Sequence, residues 1–369
     1  MHRLPDTLIA TLSQHIDLSK SRLETFATLI IGCICARTVN LSHIAAHFDS
    51  GAQIASNYRR LQRFFQYVRL DEAWLARVIL ALIGTQPPYT FILDRTNWKI
   101  GRTDINLLVL CVAARRVRVP VLWSILGKAG SSNLAERTAL MKRALQLVKP
   151  SSIRVVLADR EFIGHQWFDF LAENCIPFAI RVKQDLYVRL KDGRVLTLAS
   201  LFKKHRSTRR GSAYEGLFVG MRETSRVRLW FCAKRLCDKD RSLLIVATTL
   251  APEKGLALYR KRWQIECLFA DTKTRGLNLE DTRLTNPGKL SVLIAIIALA
   301  IVWSHLSASR LKGHQNIKRA SHGFRRKSWF RVGFDGLRQW IICDPEKAAQ
   351  VWNKLWKRSK SIPIGSGVV

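Results

Sequence analysis

Residues 290–303, "LSVLIAIIALAIVW", carry no charge, so a helix formed there is apolar on every side. Such a helix has two environments open to it: lipid, or the interior of a protein large enough to surround it. A bilayer needs about 20 consecutive apolar residues, and this run of 14 ends at Ser304 and His305. It therefore reads as a helix at the centre of a core. The chain has 369 residues, enough for two or three domains and a core of that size. The opening stretch "MHRLPDTLIATLSQ" lacks the apolar segment of a signal peptide. The eight cysteines include no CxxC pair, and Cys33 and Cys35 are too close for an ordinary zinc pair. They are expected to be reduced, mostly buried thiols of a cytoplasmic protein.

Charge narrows the choice of partner. The chain has 61 Lys+Arg against 27 Asp+Glu, a formal net charge of +34. A folded protein so charged repels itself unless it meets a polyanion, and nucleic acid is the obvious one. The basic residues recur in every segment, which suggests a long binding path.

Residues 1–88 read as helical: "SRLETFATLIIGCICA", then "NLSHIAAHF" with Asn40 or Ser42 as N-cap, then "ASNYRRLQRFFQYV". In the last, Arg59, Arg60 and Arg63 beside Leu61, Phe64 and Phe65 suit a helix packed on one side and touching phosphate on the other. From Tyr89 the texture changes. Strand candidates at 89–94, 105–114 and 118–126 precede a helical period at 134–148, a buried strand ending at Asp159, a short helix and a strand "IPFAIRVK". That order is an RNase H-like α/β core: a mixed sheet with flanking helices, over 89–185 and 243–306. Residues 186–242, with 15 Lys+Arg against 5 Asp+Glu, read as a β-rich basic insertion. Its "RVRLWF" puts Arg226, Arg228 and Trp230 on one face. Residues 307–369 form a basic C-terminal region with Phe324, Trp329 and Phe330 interleaved, either an ordered DNA-contacting element or a partly disordered arm.

Acidic residues are scarce, so their placement is informative. Asp94 and Asp159 each end an apolar strand candidate and would emerge at the sheet's rim. Taken singly, each could be an N-cap or pair with Arg95 or Arg160. Beyond the last strand, "YRKRWQIECLFADTK" reads as one helix between Pro252 and Gly276. Tyr259, Arg262, Glu266 and Lys273 lie at offsets 0, 3, 7 and 14, within a sector of about 60°. A solvated face is the plain reading. Convergence of Glu266 with the two aspartates would instead make a carboxylate cluster for hard divalent cations, with Arg262, Lys273 and Tyr259 left to meet phosphate. Trp98 and Trp263 read as core or supporting residues, His165 as surface, and Glu161 as the partner of an arginine.

At these residues the sequence resembles bacterial insertion-sequence transposases with a DDE catalytic core and the Y-x2-R-x3-E-x6-K signature. "LDRTNW" and "LADREF" resemble the family's two aspartate motifs, and the likeness runs over roughly residues 40–340. It implies cut-and-paste transposition dependent on two Mg²⁺ ions, with Mn²⁺ as a substitute and Asp94, Asp159 and Glu266 as ligands. Tyr259, Arg262 and Lys273 would hold double-stranded transposon-end DNA near the scissile phosphate. Trp230 would stack on a flipped base, and a homodimer would hold two ends. The expected location is the bacterial cytoplasm, at the nucleoid. Two other readings keep the fold: an RNase H-like metal-dependent nuclease without strand transfer, and a transposase-derived non-catalytic DNA-binding protein. A membrane protein built on 290–303 would need more than that one short span.

Overall fold

The computed structural model describes residues 4–48, 51–220, 223–237, 240, 242–313, 315–321, 325–357 and 365–368. The N-terminal part holds α1 (Leu4–Leu12), β1 (Ile16–Asp17), α2 (Lys20–Ala36), α3 (Leu41–Ile44), α4 (Ile54–Tyr67), β2 (Arg69–Leu70) and α5 (Glu72–Leu82). Asn40 caps α3, its side chain accepting from the Ser42 amide at 3.1 Å. Then come β3 (Tyr89–Ile100), β4 (Thr103–Ala113), β5 (Arg118–Leu126), α6 (Leu134–Leu147), β6 (Ile153–Ala158), α7 (His165–Glu173) and β7 (Phe178–Val182). The basic insertion supplies β8 (Tyr187–Leu190), β9 (Val195–Thr197), α8 (Leu198–Leu201), β10 (Ser212–Val219) and β11 (Thr224–Arg235). The chain returns through β12 (Leu243–Thr248), α9 (Pro252–Tyr259), α10 (Trp263–Thr272), α11 (Pro287–Lys312), α12 (Trp329–Cys343), α13 (Pro345–Trp356) and β13 (Gly365–Val368).

Ten strands form one mixed sheet in the order β5-β4-β3-β6-β7-β12-β11-β10-β8-β9. β6 lies parallel to both β3 and β7, and the other neighbours are antiparallel. With helices on the sheet, this is the expected RNase H-like α/β architecture. The insertion does not stand apart from it: β11 pairs with β12, and β12 with β7, so its strands continue the same sheet.

The apolar run forms the middle of α11, and 89% of the helix's most apolar window is buried inside the protein. Burial continues past the expected end, through Ser304, His305 and Ala308. Full burial pushes the His305 imidazole down to about 3, so it is neutral in the core. Helices α2, α5, α12 and α13 and strand β5 surround α11. Of these, α12 and α13 come from the basic C-terminal region, whose described part packs on the core: Trp303 of α11 meets Trp352 of α13 with ring centroids 4.9 Å apart. The final strand, β13, lies between β1 and β2 of the N-terminal part. Trp329 and Phe330 are buried, which takes them out of DNA contact; Phe324 lies outside the described residues.

Three further expectations change. β3 does not end at Asp94 but continues to Ile100, because its partner β4 is long enough to pair with it down to Ile100↔Thr103. The stretch from Pro252 is not one α-helix: α9 and α10 are joined by a 3₁₀ turn at Arg260–Arg262, and Lys273 caps α10 in a non-helical conformation. Only Cys33, Cys111 and Cys232 are buried, while Cys175, Cys237 and Cys343 are exposed; all eight are free thiols.

The approach of α12 to α11 depends on Gly333. A Cβ there would stand 1.8 Å from the Ser304 carbonyl oxygen, backbone that has nowhere to move. Gly333→Ala is expected to cost about 3 kcal/mol by forcing the two helices apart. A urea midpoint equal to that of the wild type would show that the contact tolerates a methyl group.

Candidate active site

The register of two parallel strands builds the site. β3 and β6 pair up to Leu93↔Ala158, so the next residue on each strand is Asp94 and Asp159. β6 stops there and β3 runs on, which leaves both carboxylates at the point where the sheet opens. The Arg95 amide donates to Asp94 Oδ1 at 2.8 Å, and the Arg160 amide to Asp159 Oδ1 at 2.8 Å. These bonds fix the carboxylates on the backbone, and neither aspartate pairs with the guanidinium that follows it.

The helical segment brings three more groups to this point. Tyr259, buried at the end of α9, reaches Asp159 Oδ1 with its hydroxyl at 3.5 Å. Arg262 lies 3.7 Å from Asp94 Oδ2 through Nη1. Its Nη2 pairs with Glu266, one turn further on. Thus Asp94, Asp159, Tyr259, Arg262 and Glu266 converge, although the helix is broken between Tyr259 and Trp263. Lys273 does not join them. Its Nζ sits further along β3, donating to the Asn97 carbonyl at 3.3 Å and pairing with Glu280 at 2.7 Å, beside the buried Trp98. Nor do the insertion residues join: no hydrogen bond, ion pair or ring contact links Arg226, Arg228 or Trp230 to the cluster among the described residues. Arg226 faces α7, 3.8 Å from Glu173, and Trp230 is half-buried between Glu215 and Thr248 of its neighbouring strands.

A polar network, of which only the pairing of Glu161 with an arginine is expected from the sequence, steadies the two aspartate segments. Arg95 grips Glu161 at 3.3 and 3.2 Å and donates to Asn106 Oδ1 at 3.1 Å. Buried Asn106 donates in turn to the carbonyls of Lys128 and Gly130, each at 2.8 Å. Buried Arg137 donates to the Glu161 carbonyl at 2.8 Å and to Ser132. Glu161 is thus the partner of an arginine, as its place in "DREF" suggests. His165 pairs at 3.2 Å with Glu223 of the insertion. Trp263 overturns its expected place in the core: it is 62% exposed, because the 3₁₀ turn before it points the ring outward from the start of α10.

Electrostatics follow from burying acids together. Burial is the largest influence on Asp94 and pushes its carboxyl up to about 7; the Arg95 amide and Arg262 pull it down, and Glu161 and Asp159 push it up again. Burial, then the charge of Asp159, push the Tyr259 phenol well above its usual range, so it remains a donor. Burial alone would lower the Arg262 guanidinium, but Tyr259, Glu266 and Asp159 outweigh it and hold the proton more firmly. Among the described residues, no three His, Cys, Asp or Glu side chains stand in a metal-holding group. Arg262 supplies the positive charge between Asp94 and Glu266 instead. The donors themselves, carboxylate oxygens only, are of the kind that hard divalent cations take.

An RNase H-like core with acidic residues at the opening of its parallel strands defines a class of nucleic-acid-processing enzymes. Comparison of the sequence with known families matches Transposase DDE domain over residues 85–303, more than half of the chain. The protein belongs to that family, whose members act on DNA and use divalent metal ions. No curated protein matches the chain.

In the metal-free protein the Asp94 carboxyl binds its proton more tightly when folded than when unfolded. Stability is therefore expected to fall as pH rises from about 4 through about 7 and then level off. Asp94→Asn removes this burden. At pH 8 in EDTA the variant is expected to be more stable than the wild type by on the order of 2–4 kcal/mol. A variant less stable than the wild type at pH 8 would mean that the ionised carboxylate holds the fold together.

Proposed function

We propose that this chain is a bacterial insertion-sequence transposase of the Y-x2-R-x3-E-x6-K type. It binds the inverted-repeat ends of its element, cleaves them and joins them to target DNA. The observation that carries this reading is the convergence of Asp94, Asp159 and Glu266 with Tyr259 and Arg262, on strands whose register makes the two aspartates neighbours.

Asp94, Asp159 and Glu266 would hold Mg²⁺, or Mn²⁺ in its place. Two such ions, when bound, activate a water or a 3′-hydroxyl and stabilise the leaving oxygen of a phosphodiester. The protein's own groups do the rest. Arg262 exchanges Glu266 for phosphate oxygens, which its planar fork grips bidentately. Tyr259, kept protonated by its surroundings, donates a hydrogen bond. Lys273 meets the backbone further along β3. Arg226 and Arg228 extend the basic path onto the insertion. Trp230 is the proposed stacking residue for a flipped base, and exposed Trp263, beside Arg262, offers a second aromatic face to an unstacked one. The active form is a homodimer, because two ends must be held together, working at the nucleoid in the cytoplasm.

The test is incubation of DNA bordering the gene with purified protein and Mg²⁺. The wild type is expected to excise and join ends. Asp94→Asn, Asp159→Asn and Glu266→Gln are each expected to abolish both steps while end binding survives. Cutting without joining would favour a nuclease. Binding without any cut by the wild type would favour a non-catalytic DNA-binding protein. Loss of binding together with cleavage in all three variants would make the carboxylates structural.

A further inference from the structure

One hollow in the protein lies away from the carboxylates. It is a cleft of about 780 Å³ with α4 along one wall and the segment around Arg283 and Lys289 along the other. α4 is strongly two-sided. Asn57, Leu61, Phe64 and Phe65 are buried, with Phe64 stacked on Phe26 of α2 at 5.9 Å. Arg60 does not face the cleft. It turns back to α2, donating to Glu24 at 2.6 Å, to Thr25 at 2.9 Å and to the Ser21 carbonyl at 2.9 Å. The outward side chains of α4 include Arg59, Gln62, Arg63 and Gln66, at offsets 0, 3, 4 and 7, one stripe of a helix, with exposed Ile54, Ala55, Ser56 and Tyr67 towards its ends.

Two properties of this stripe are unlike an ordinary solvated face. Residues 54–67 contain no Asp or Glu, so no (i, i+4) ion pairs stabilise it. No other described residue engages any of the four side chains by a hydrogen bond or an ion pair. They are also the two residue types that read base edges bidentately in the major groove, arginine on guanine and glutamine on adenine. The groove, about 12 Å wide, admits a helix. Across the cleft, Arg283 and Lys289 are placed for the sugar–phosphate backbone, which positions a duplex without reading it.

The cleft adjoins the far end of β3, the strand that carries Asp94. Asn40 and Arg283 also line a second hollow of about 290 Å³, whose far wall is Lys99, Ile100 and Gly101 at the β3–β4 turn. The two acids there are already engaged: Glu280 by Lys273 at 2.7 Å, and Asp281 by the Thr38 hydroxyl at 2.9 Å. From Lys99 to Asp94 is five residues of one strand, about 16 Å, which is about half a turn of B-DNA.

We propose that the outward stripe of α4 is a sequence-reading surface that enters the major groove of the same duplex whose phosphate lies at the carboxylates, with Arg283 and Lys289 holding the backbone. The proposal rests on the DNA-cutting reading of that site, and binding measured without metal separates the two. Full-length protein in EDTA is titrated, at several salt concentrations, into a duplex carrying the sequence that borders the gene and into a scrambled duplex of equal length. Gln62→Ala and Arg63→Ala are expected to lower the preference for the bordering sequence about tenfold or more while leaving scrambled-duplex binding nearly unchanged. Arg283→Gln and Lys289→Gln are expected to weaken both duplexes alike, each reducing the salt slope by about 0.9. Melting curves matching the wild type show that the α4 variants are folded; Arg59→Ala and Gln66→Ala replace any that are not. The proposal is overturned if the wild type does not discriminate between the duplexes, if the α4 variants weaken both equally or neither, or if an RNA duplex of the same sequence binds better than DNA. A wild type that discriminates here but never cuts in Mg²⁺ would overturn the catalytic reading and leave the α4 assignment standing.

Discussion

A helix that is apolar all round has to be enclosed, and the enclosure of α11 joins the parts of this chain into one body. α2 and α5 cover it from the N-terminal part, β5 from the sheet, and α12 and α13 from the C-terminal part. One large cluster of buried side chains results, running from Leu4 to Trp356, with a small second one at Ala308, Ile317 and Trp329. The sheet is therefore rigid where it matters, because β5, β4 and β3 are backed by a packed core. Rigidity at β3 is what allows a carboxylate to be kept half-buried and partly dehydrated at Asp94.

The second constraint is charge. Acids and bases meet there in a protein of net charge +34: the Tyr259 hydroxyl reaches Asp159, and one guanidinium serves two other carboxylates. Arg262 contacts both Asp94 and Glu266, while Arg95 is drawn away to Glu161. Breaking a buried pair by removing one partner costs several kcal/mol, whereas exchanging partners does not leave a charge bare. Under the proposed mechanism Arg262 is then a counterion that would leave the acids when other cations and a phosphate arrive together.

Much of this was legible in the sequence. The strands at 105–113, 118–126 and 153–158 are largely apolar runs because most of their residues are buried, and such runs stand out. The aspartates follow from them. The continuation of β3 through "RTNWKI" was not legible, since mixed polar residues become strand only when β4 lies alongside. The 3₁₀ turn at Arg260–Arg262 was equally hidden, because α and 3₁₀ turns use the same residues, and with it went the exposure of Trp263. In "NYRRLQRFFQ" three arginines look alike on paper; only the position of Glu24 on α2 shows that Arg60 is internal. The C-terminal region misled by its charge. Its Trp329, Phe330, Phe334, Leu337 and Trp340 are spaced for a helix, and that spacing prevailed over the surrounding lysines and arginines.

Asp94, Asp159 and Glu266 are proposed to form one metal-holding point. This is tested most directly by exchanging Mg²⁺ for Fe²⁺ in the DNA-bound protein, adding ascorbate and peroxide, and mapping where the polypeptide is cut by locally generated radicals. Cuts are expected to cluster near residues 94, 159 and 266 and to be suppressed by excess Mg²⁺ and by Asp94→Asn. Absence of cuts at those three places, or cuts confined to other parts of the chain, would contradict this assignment.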